Sequence, residues 1–290
     1  MTKRNTVVAG LLLALGLTLA SPVQATQPGK ARLRGWLGFT TLPLGDFNGQ
    51  IRSERNAFMA DTLTDEATWD PMGGAPSLGL ELEVQLTPVL SAGIGFSSHR
   101  SSVRQEAFRI LSIDLETGEP AEFEDFDQEL KVSAWDVVGT LGLWVPSAPG
   151  LHFGAQLGLV RGTLTREFVH VASAFSIPAE FTEFVDGRWT GTGIVLGAFT
   201  GYDQPISSQL SLTSRIGYRY RKIGSPDGIV RTLTLDENEG TSYEWEPGPS
   251  RLWRVGAPGA PLDVEGDPMS LDLGGFHFKV GLSMALGGGE

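Results

Sequence analysis

The sequence predicts an all-β protein, an eight-stranded antiparallel up-and-down transmembrane β-barrel with short periplasmic turns and long outer loops. Three observations predict it. The stretch Leu78-Gly79-Leu80-Glu81-Leu82-Glu83-Val84-Gln85-Leu86 sets a large aliphatic at every second position, with Gly, Glu or Gln between. A period of two puts the aliphatics on one face of a strand and the polar groups on the other. Beyond the N-terminal 25 residues no apolar run reaches helical membrane-spanning length, so insertion into a bilayer would be by strands, whose backbone polar groups only a closed barrel satisfies. Finally, the connections between strand segments alternate long and short, as in outer-membrane barrels with both termini on the inner side.

Residues 1–25 read as a cleavable signal peptide. Lys3 and Arg4 form a basic start, Val7 to Ala20 an apolar run, and Val23-Gln24-Ala25 the small residues of a cleavage site. Residues 26–290 then form one barrel domain. The chain has no cysteine, which excludes an acylated N-terminus and disulfides. Its formal charge of −12 becomes −14 without Lys3 and Arg4, which argues against a nucleic-acid partner. Its 38 glycines exceed the usual share of about 7% and fall mostly within strand patterns, as small residues of a narrow interior would.

The segments follow in order. The first is 32–41, with Leu33, Leu37 and Phe39 on one face. A polar stretch with Pro71, Gly73, Gly74 and Pro76 leads to the second, 78–86, and Thr87-Pro88 turns the chain into the third, 89 to about 100. Residues 112–129 read as acidic and irregular, and the fourth segment runs from about 130 to 145. Pro146-Ser147-Ala148-Pro149-Gly150 is the next tight turn. The fifth segment, 151 to about 168, sets Leu151, Phe153, Ala155, Leu157 and Leu159 against His152, Gly154, Gln156 and Gly158. A loop with Pro178 precedes the sixth, about 188–202, and Asp203-Gln204-Pro205 begins the third tight turn. The seventh is 210–221. A Pro/Gly-rich stretch from about 224 to 268 leads to the eighth, 271–286, where Phe276, Phe278, Val280, Leu282, Met284 and Leu286 alternate with smaller or polar residues. Segments four and six lose phase at Val138, Trp144, Val195 and Phe199, which a bulge would explain.

Gly35-Trp36-Leu37-Gly38-Phe39 with Leu44-Gly45-Asp46-Phe47, the Leu86-Thr87-Pro88 turn and the last strand resemble the small eight-stranded outer-membrane barrels of the OmpA, OmpX and OmpW type. The resemblance covers about residues 32–286. Within it, Lys279, Gly281, Met284 and Leu286 look like a barrel-assembly signal, which implies the barrel-assembly machinery as a partner. The likeness is architectural and implies no single activity.

With the polar faces inward, the lumen would hold Glu81, Glu83, Gln85, Arg215, Arg219, Arg221, His277 and Lys279. An eight-stranded barrel has room for side chains rather than an open channel, and buried charges need partners, so the carboxylates are expected to meet these cations across the lumen. That set would form a structural plug, or a gate whose pairs exchange to pass small solutes. Trp36, Trp144, Trp189, Tyr202, Tyr218 and Tyr220 read as membrane-interface aromatics. Catalysis on lipid would need a histidine beside a nucleophile; of His99, His152, His170 and His277, only His99 with Ser101 offers a weak pair. The acidic stretch Asp114 to Glu129 and the last loop, with Asp236, Glu237, Glu239, Glu244 and Glu246 among Tyr243, Trp245 and Trp253, could bridge divalent cations, without the spacing of an EF-hand. No Walker loop, zinc-ligand spacing or nucleotide fingerprint occurs, so no cofactor and no resident metal are expected.

The expectation is therefore a non-enzymatic protein of the bacterial outer membrane, in contact with its lipid and lipopolysaccharide, with a plugged, charge-paired lumen and a structural or interaction role. The alternatives are a narrow conduit for small or hydrophobic solutes of the OmpW kind, a soluble periplasmic lipocalin-like barrel with the faces reversed, and a lipid-modifying barrel enzyme.

Overall fold

The computed structural model describes residues 28–45, 47–49, 51–52, 56, 66–68, 71–113, 120–174, 177–224, 226–236, 241–251, 253–254 and 267–286. The proposed signal peptide lies outside the described residues. Eight antiparallel strands pair in a barrel-like ring: β1 (Ala31–Thr41), β2 (Gly74–Gln85), β3 (Leu90–Ile113), β4 (Pro120–Trp144), β5 (Leu151–Ala174), β6 (Ile177–Pro205), β7 (Leu210–Ile223) and β8 (Gly275–Leu286). Each pairs with its chain neighbour, and β8 returns to β1 through a register that sets Leu33 opposite Met284 and Phe39 opposite Phe278.

The ring follows from the alternation. Leu78, Leu80, Leu82 and Val84 face outward and exposed on β2, while Ser77, Glu81, Glu83 and Gln85 are buried inside. The same division holds on β5, where Leu157 and Leu159 are 64% and 65% exposed between buried Gln156 and Val160. Segments four and six contain no bulge where the phase falters: β4 pairs with β3 unbroken from Phe123 at Ile110 down to Leu143 at Leu90, and β6 pairs with β5 unbroken between Tyr202 at Leu151 and Glu180 at Ser173. Val138, Val195 and Phe199 depart from the pattern because they are apolar side chains pointing inward.

Short turns at 86–89, 145–150 and 206–209 close one end, where both strand termini also lie. Gly150 adopts φ +89°, and a side chain there would meet the Asp203 carbonyl at 2.5 Å, so this turn requires glycine.

At the other end the strands outrun their expected limits. β3 continues to Ile113, β4 begins at Pro120 rather than near 130, β5 reaches Ala174 and β6 begins at Ile177 rather than near 188. The stretch expected to be irregular is thus strand from residue 120, with register shifts opposite Ile110–Ile113 and unbroken pairing from Phe123 onward. Its alternation pairs polar with polar: Arg104 donates to Asp127 at 3.0 and 2.5 Å, and Lys131 meets Glu129 and Glu167 at 2.9 and 3.1 Å. Phe126 stacks on His170 with ring centroids 4.3 Å apart. The last connection is likewise part of the sheet. Asp227–Asp236 pairs with the upper part of β6, and Thr241–Arg251 pairs with it in turn. The segment 271–286 divides into Leu271–Asp272, which extends along β7, and β8 from Gly275.

Candidate functional site

The interior has two storeys. In the storey toward the short turns, strand register sets opposite charges side by side: Arg34 of β1 stands directly across from Glu81 of β2. Arg34 donates to Glu81 at 3.3 Å, to Glu83, and to Asp203 of β6 at 2.9 Å. Arg215 of β7 completes the cluster with a bidentate pair to Glu81, at 2.6 and 2.9 Å. Its guanidinium lies over the rings of Trp36 and Phe199, 4.4 and 4.2 Å from their centroids. The guanidinium thus makes two aromatic contacts while its N–H groups fork onto a carboxylate, a geometry that lysine could not reproduce.

Asp203 also accepts from Thr213 at 2.6 Å and from Arg32 at 3.2 Å. Above it, Asp136 of β4 is the hub of a second cluster. It accepts from Ser97 at 2.6 Å, from Arg219 at 3.1 Å and from Arg221 at 3.0 Å. Arg219 donates onward to Gln156 at 2.7 Å. Five buried cations, Arg34, Arg215, Arg219, Arg221 and Lys279, face four buried carboxylates, Glu81, Glu83, Asp136 and Asp203. Lys279 has no ion-pair partner among the described residues. Its register row runs through Gly38 of β1 to Ser77 of β2 and His99 of β3, and His277, two residues away on β8, stands opposite Thr40 of β1.

The upper storey is apolar. Leu42, Leu44, Phe47, Ile51 and Met72 from the first long connection meet Met269, Leu271 and Leu273 from the last. They pack on inward Leu130, Val132 and Ala134 of β4, Val160 and Leu164 of β5, and Trp189 of β6. Asn48 holds this plug together, its side chain donating to the carbonyls of Pro43 at 2.7 Å and Met72 at 3.0 Å and accepting from the Met72 N–H at 3.2 Å. The two connections join where Leu44 N–H donates to the Asp272 carbonyl at 3.1 Å, with Leu44 itself left-handed at φ +45°. Arg221 links the storeys by donating to the Leu273 carbonyl at 3.3 Å.

All eight residues anticipated for the lumen are buried inside the ring. Glu81, Glu83, Arg215, Arg219 and Arg221 join the ion pairs described; Gln85 instead donates to the Thr87 carbonyl at 2.7 Å. Sequence reasoning missed Arg34, Asp136 and Asp203. Arg34 was readable from phase, since Leu33 and Leu37 on the outer face put it inside; Asp136 and Asp203 fell where the phase looked broken or a turn was expected.

Three of the interface aromatics require correction. Trp36 faces inward onto Arg215, and Trp189 is buried in the plug because the upper interior is apolar. Trp144 turns into the turn-end mouth, donating to Ser91 at 3.2 Å, with the Arg32 guanidinium 4.9 Å from its ring centroid. Tyr218 and Tyr220 are exposed outside the ring and Tyr202 is half-buried. Trp135 is exposed on the outer face, stacked near Phe96. Of the assembly-signal residues, Lys279 points inward, Met284 and Leu286 point outward, and Gly281 lies against the Gly35 carbonyl.

His99 and Ser101 do not form a dyad. Ser101 donates to the Gly74 carbonyl at 2.7 Å, and neither ring nitrogen of His99 has a hydrogen-bond partner among the described residues. Among the described residues no group of three or more His, Asp or Glu could hold a metal ion; residues 114–119 and 237–240 of the acidic loops lie outside them.

No family model and no curated protein matches the chain. Among solved structures it is similar to the outer membrane protein OprG from Pseudomonas aeruginosa, at 10% identity and a TM-score of 0.39 over 92% of this chain and 100% of that one. It is also similar to a major outer membrane protein from Thermus thermophilus, at 12% identity and 0.39 over 90% and 100%, and to Acinetobacter baumannii CarO2, at 14% and 0.34 over 90% and 100%.

Proposed function

We propose that this protein is a non-enzymatic barrel of the bacterial outer membrane with a sealed lumen, acting through its outer surface and long ribbons. The observation that carries this reading is the pair of stacked seals within one ring of lipid-suited aliphatics. Leu37, Leu78, Ile94, Leu141, Leu157 and Phe276 belong to an exposed belt that runs around the ring. A continuous exposed apolar surface of this kind has no place on a soluble monomer, which is the reason to set aside the lipocalin-like alternative. Along β2 the belt covers 78–86, about 26 Å of strand, or about 20 Å of depth at a tilt of about 40°, against an apolar band of about 25 Å in known membrane barrels. The short turns then face the periplasm and the ribbons the exterior. Ser101, committed to the Gly74 carbonyl, and His99, without a hydrogen-bond partner among the described residues, weigh against the enzyme reading.

Both storeys would have to open for a solute to pass. Planar-bilayer recordings test this: the wild-type chain should give no discrete conductance steps, and regular steps altered by Glu81→Gln would overturn it. A second reading has one observation in its favour. The upper interior wall is apolar, so withdrawal of the 42–51 and 269–273 segments would leave a hydrophobic funnel suited to an apolar solute, which the same recordings with such a solute present would register as a change in current.

A further inference from the structure

We propose that the outside of the barrel carries a binding site for the phosphate of a lipid headgroup, formed by Arg100, Arg161 and Arg188 at the upper edge of the apolar belt. The site rests on the membrane reading above.

Across β3 to β6 the outward residues change character in rows set by strand register. Phe96, Val137, Leu159 and Ile194 form one apolar row. Two residues higher, Trp135 neighbours Arg161, which neighbours Thr192. In the next row Arg100 neighbours Ser133, and Thr163 and Thr190 follow, their hydroxyls 3.2 Å apart. Above it Lys131, Thr165 and Arg188 stand side by side. The row after that sets Arg104 beside Glu129 and continues through Glu167 and Asp186, so it is mostly acidic. Two residues of strand rise about 6.6 Å, so Arg161, Arg100, Lys131 and Arg188 lie within about 20 Å of strand from the last apolar row.

Within this girdle three of the arginines behave differently from the other cations. Arg104 and Lys131 are engaged by acids. Arg100, Arg161 and Arg188 are exposed, and among the described residues none has a hydrogen bond or ion pair, although the acidic row stands close above them. Arg100 and Arg188 line one cleft of about 270 Å³, floored by Lys131, Ser133, Thr163 and Thr165, and Arg161 lies on the neighbouring row below. Guanidinium forks match phosphate oxygens in bidentate geometry, and the hydroxyls add donors. Acyl chains of the same lipid would continue down over Trp135, Phe96 and Leu159. The cleft together with the apolar rows below it therefore suits both halves of a phospholipid or phosphoglycolipid, whereas inorganic phosphate would engage the cleft alone.

The full chain, refolded in zwitterionic detergent, is titrated with diphosphorylated lipid A, with the same lipid after dephosphorylation, and with sodium phosphate, and bound lipid is counted by native mass spectrometry. Each arginine should contribute about fivefold, so the phosphorylated lipid should bind about 100-fold more tightly than its dephosphorylated form. The triple variant Arg100→Gln, Arg161→Gln, Arg188→Gln should lose that preference, Arg104→Gln should keep it, and equimolar sodium phosphate should not displace the lipid. If the triple variant does not fold, each single variant should lower the preference about fivefold. Equal binding of the two lipids, an unchanged arginine variant, or displacement by sodium phosphate overturns the site while leaving the barrel intact. A wild-type chain whose gel mobility does not shift on boiling overturns the membrane reading and the site together.

Discussion

Replacing Asp136 by asparagine removes one charge from the most shared acceptor in the lumen while preserving its shape. Asp136 is fully buried and holds two guanidinium groups, Arg219 at 3.1 Å and Arg221 at 3.0 Å, together with the Ser97 hydroxyl at 2.6 Å. The amide would have one oxygen for three donors, and its own N–H groups would face an arginine. Removing one partner of a buried ion pair costs about 3–5 kcal/mol, because the remaining charge stays desolvated. At about 1.4 kcal/mol per decade, the folding constant should fall roughly 100- to 4000-fold. Urea titration of the chain in lipid vesicles, scored by the fraction that runs at the folded position on an unboiled gel, reads this directly. The double variant Asp136→Asn, Arg219→Gln should be no less stable than Asp136→Asn alone, since it removes one of the stranded cations. A loss below about 1 kcal/mol for Asp136→Asn, or strictly additive losses, would refute a dry, charge-paired lumen and indicate that water reaches this cluster.

Two further outcomes follow from other parts of the structure. An added Cβ at Gly281 would collide with the Gly35 carbonyl across the β1–β8 seam, so Gly281→Val should sharply lower the fraction of folded barrel on unboiled gels. Asn48→Ala removes three hydrogen bonds that hold the plug, and should cost about 1–3 kcal/mol and speed amide exchange at Leu42 and Leu44. Bilayer current should nevertheless stay flat in that variant, because the Arg34–Glu81–Arg215 layer still closes the lower storey.

How far the fold was legible depended on which solvent each face met. On β2 and β5 the outward residues within the belt are uniformly apolar, so Leu78 to Leu86 and Leu151 to Leu159 could be read directly. On β4 and β6 the inner face crosses from the charged storey to the apolar plug, and Val138 and Val195 mimicked a loss of phase. Long-range pairing alone explains the ribbons: Asp127 and Glu129 look like loop residues until Arg104 and Lys131 are set beside them. The charged site was readable only in part for a similar reason. Glu81, Glu83 and Arg215 announced themselves within clean alternation. Asp136 stood beside Trp135 in a segment of uncertain phase, and Asp203 extended a strand past the expected turn. No local periodicity foretold that the first and last long connections would fold back into the ring.

The chain contains no cysteine, so a single introduced cysteine can be spin-labelled without removing any other. Labels placed in turn at positions 153 to 160, in the protein reconstituted into lipid vesicles, should alternate. Positions 153, 155, 157 and 159 should be relaxed by oxygen dissolved in the bilayer, and positions 154, 156, 158 and 160 should be shielded from both oxygen and a water-soluble nickel chelate. The opposite alternation, with Leu157 and Leu159 reached by the chelate, would contradict an aliphatic belt in lipid around a sealed interior.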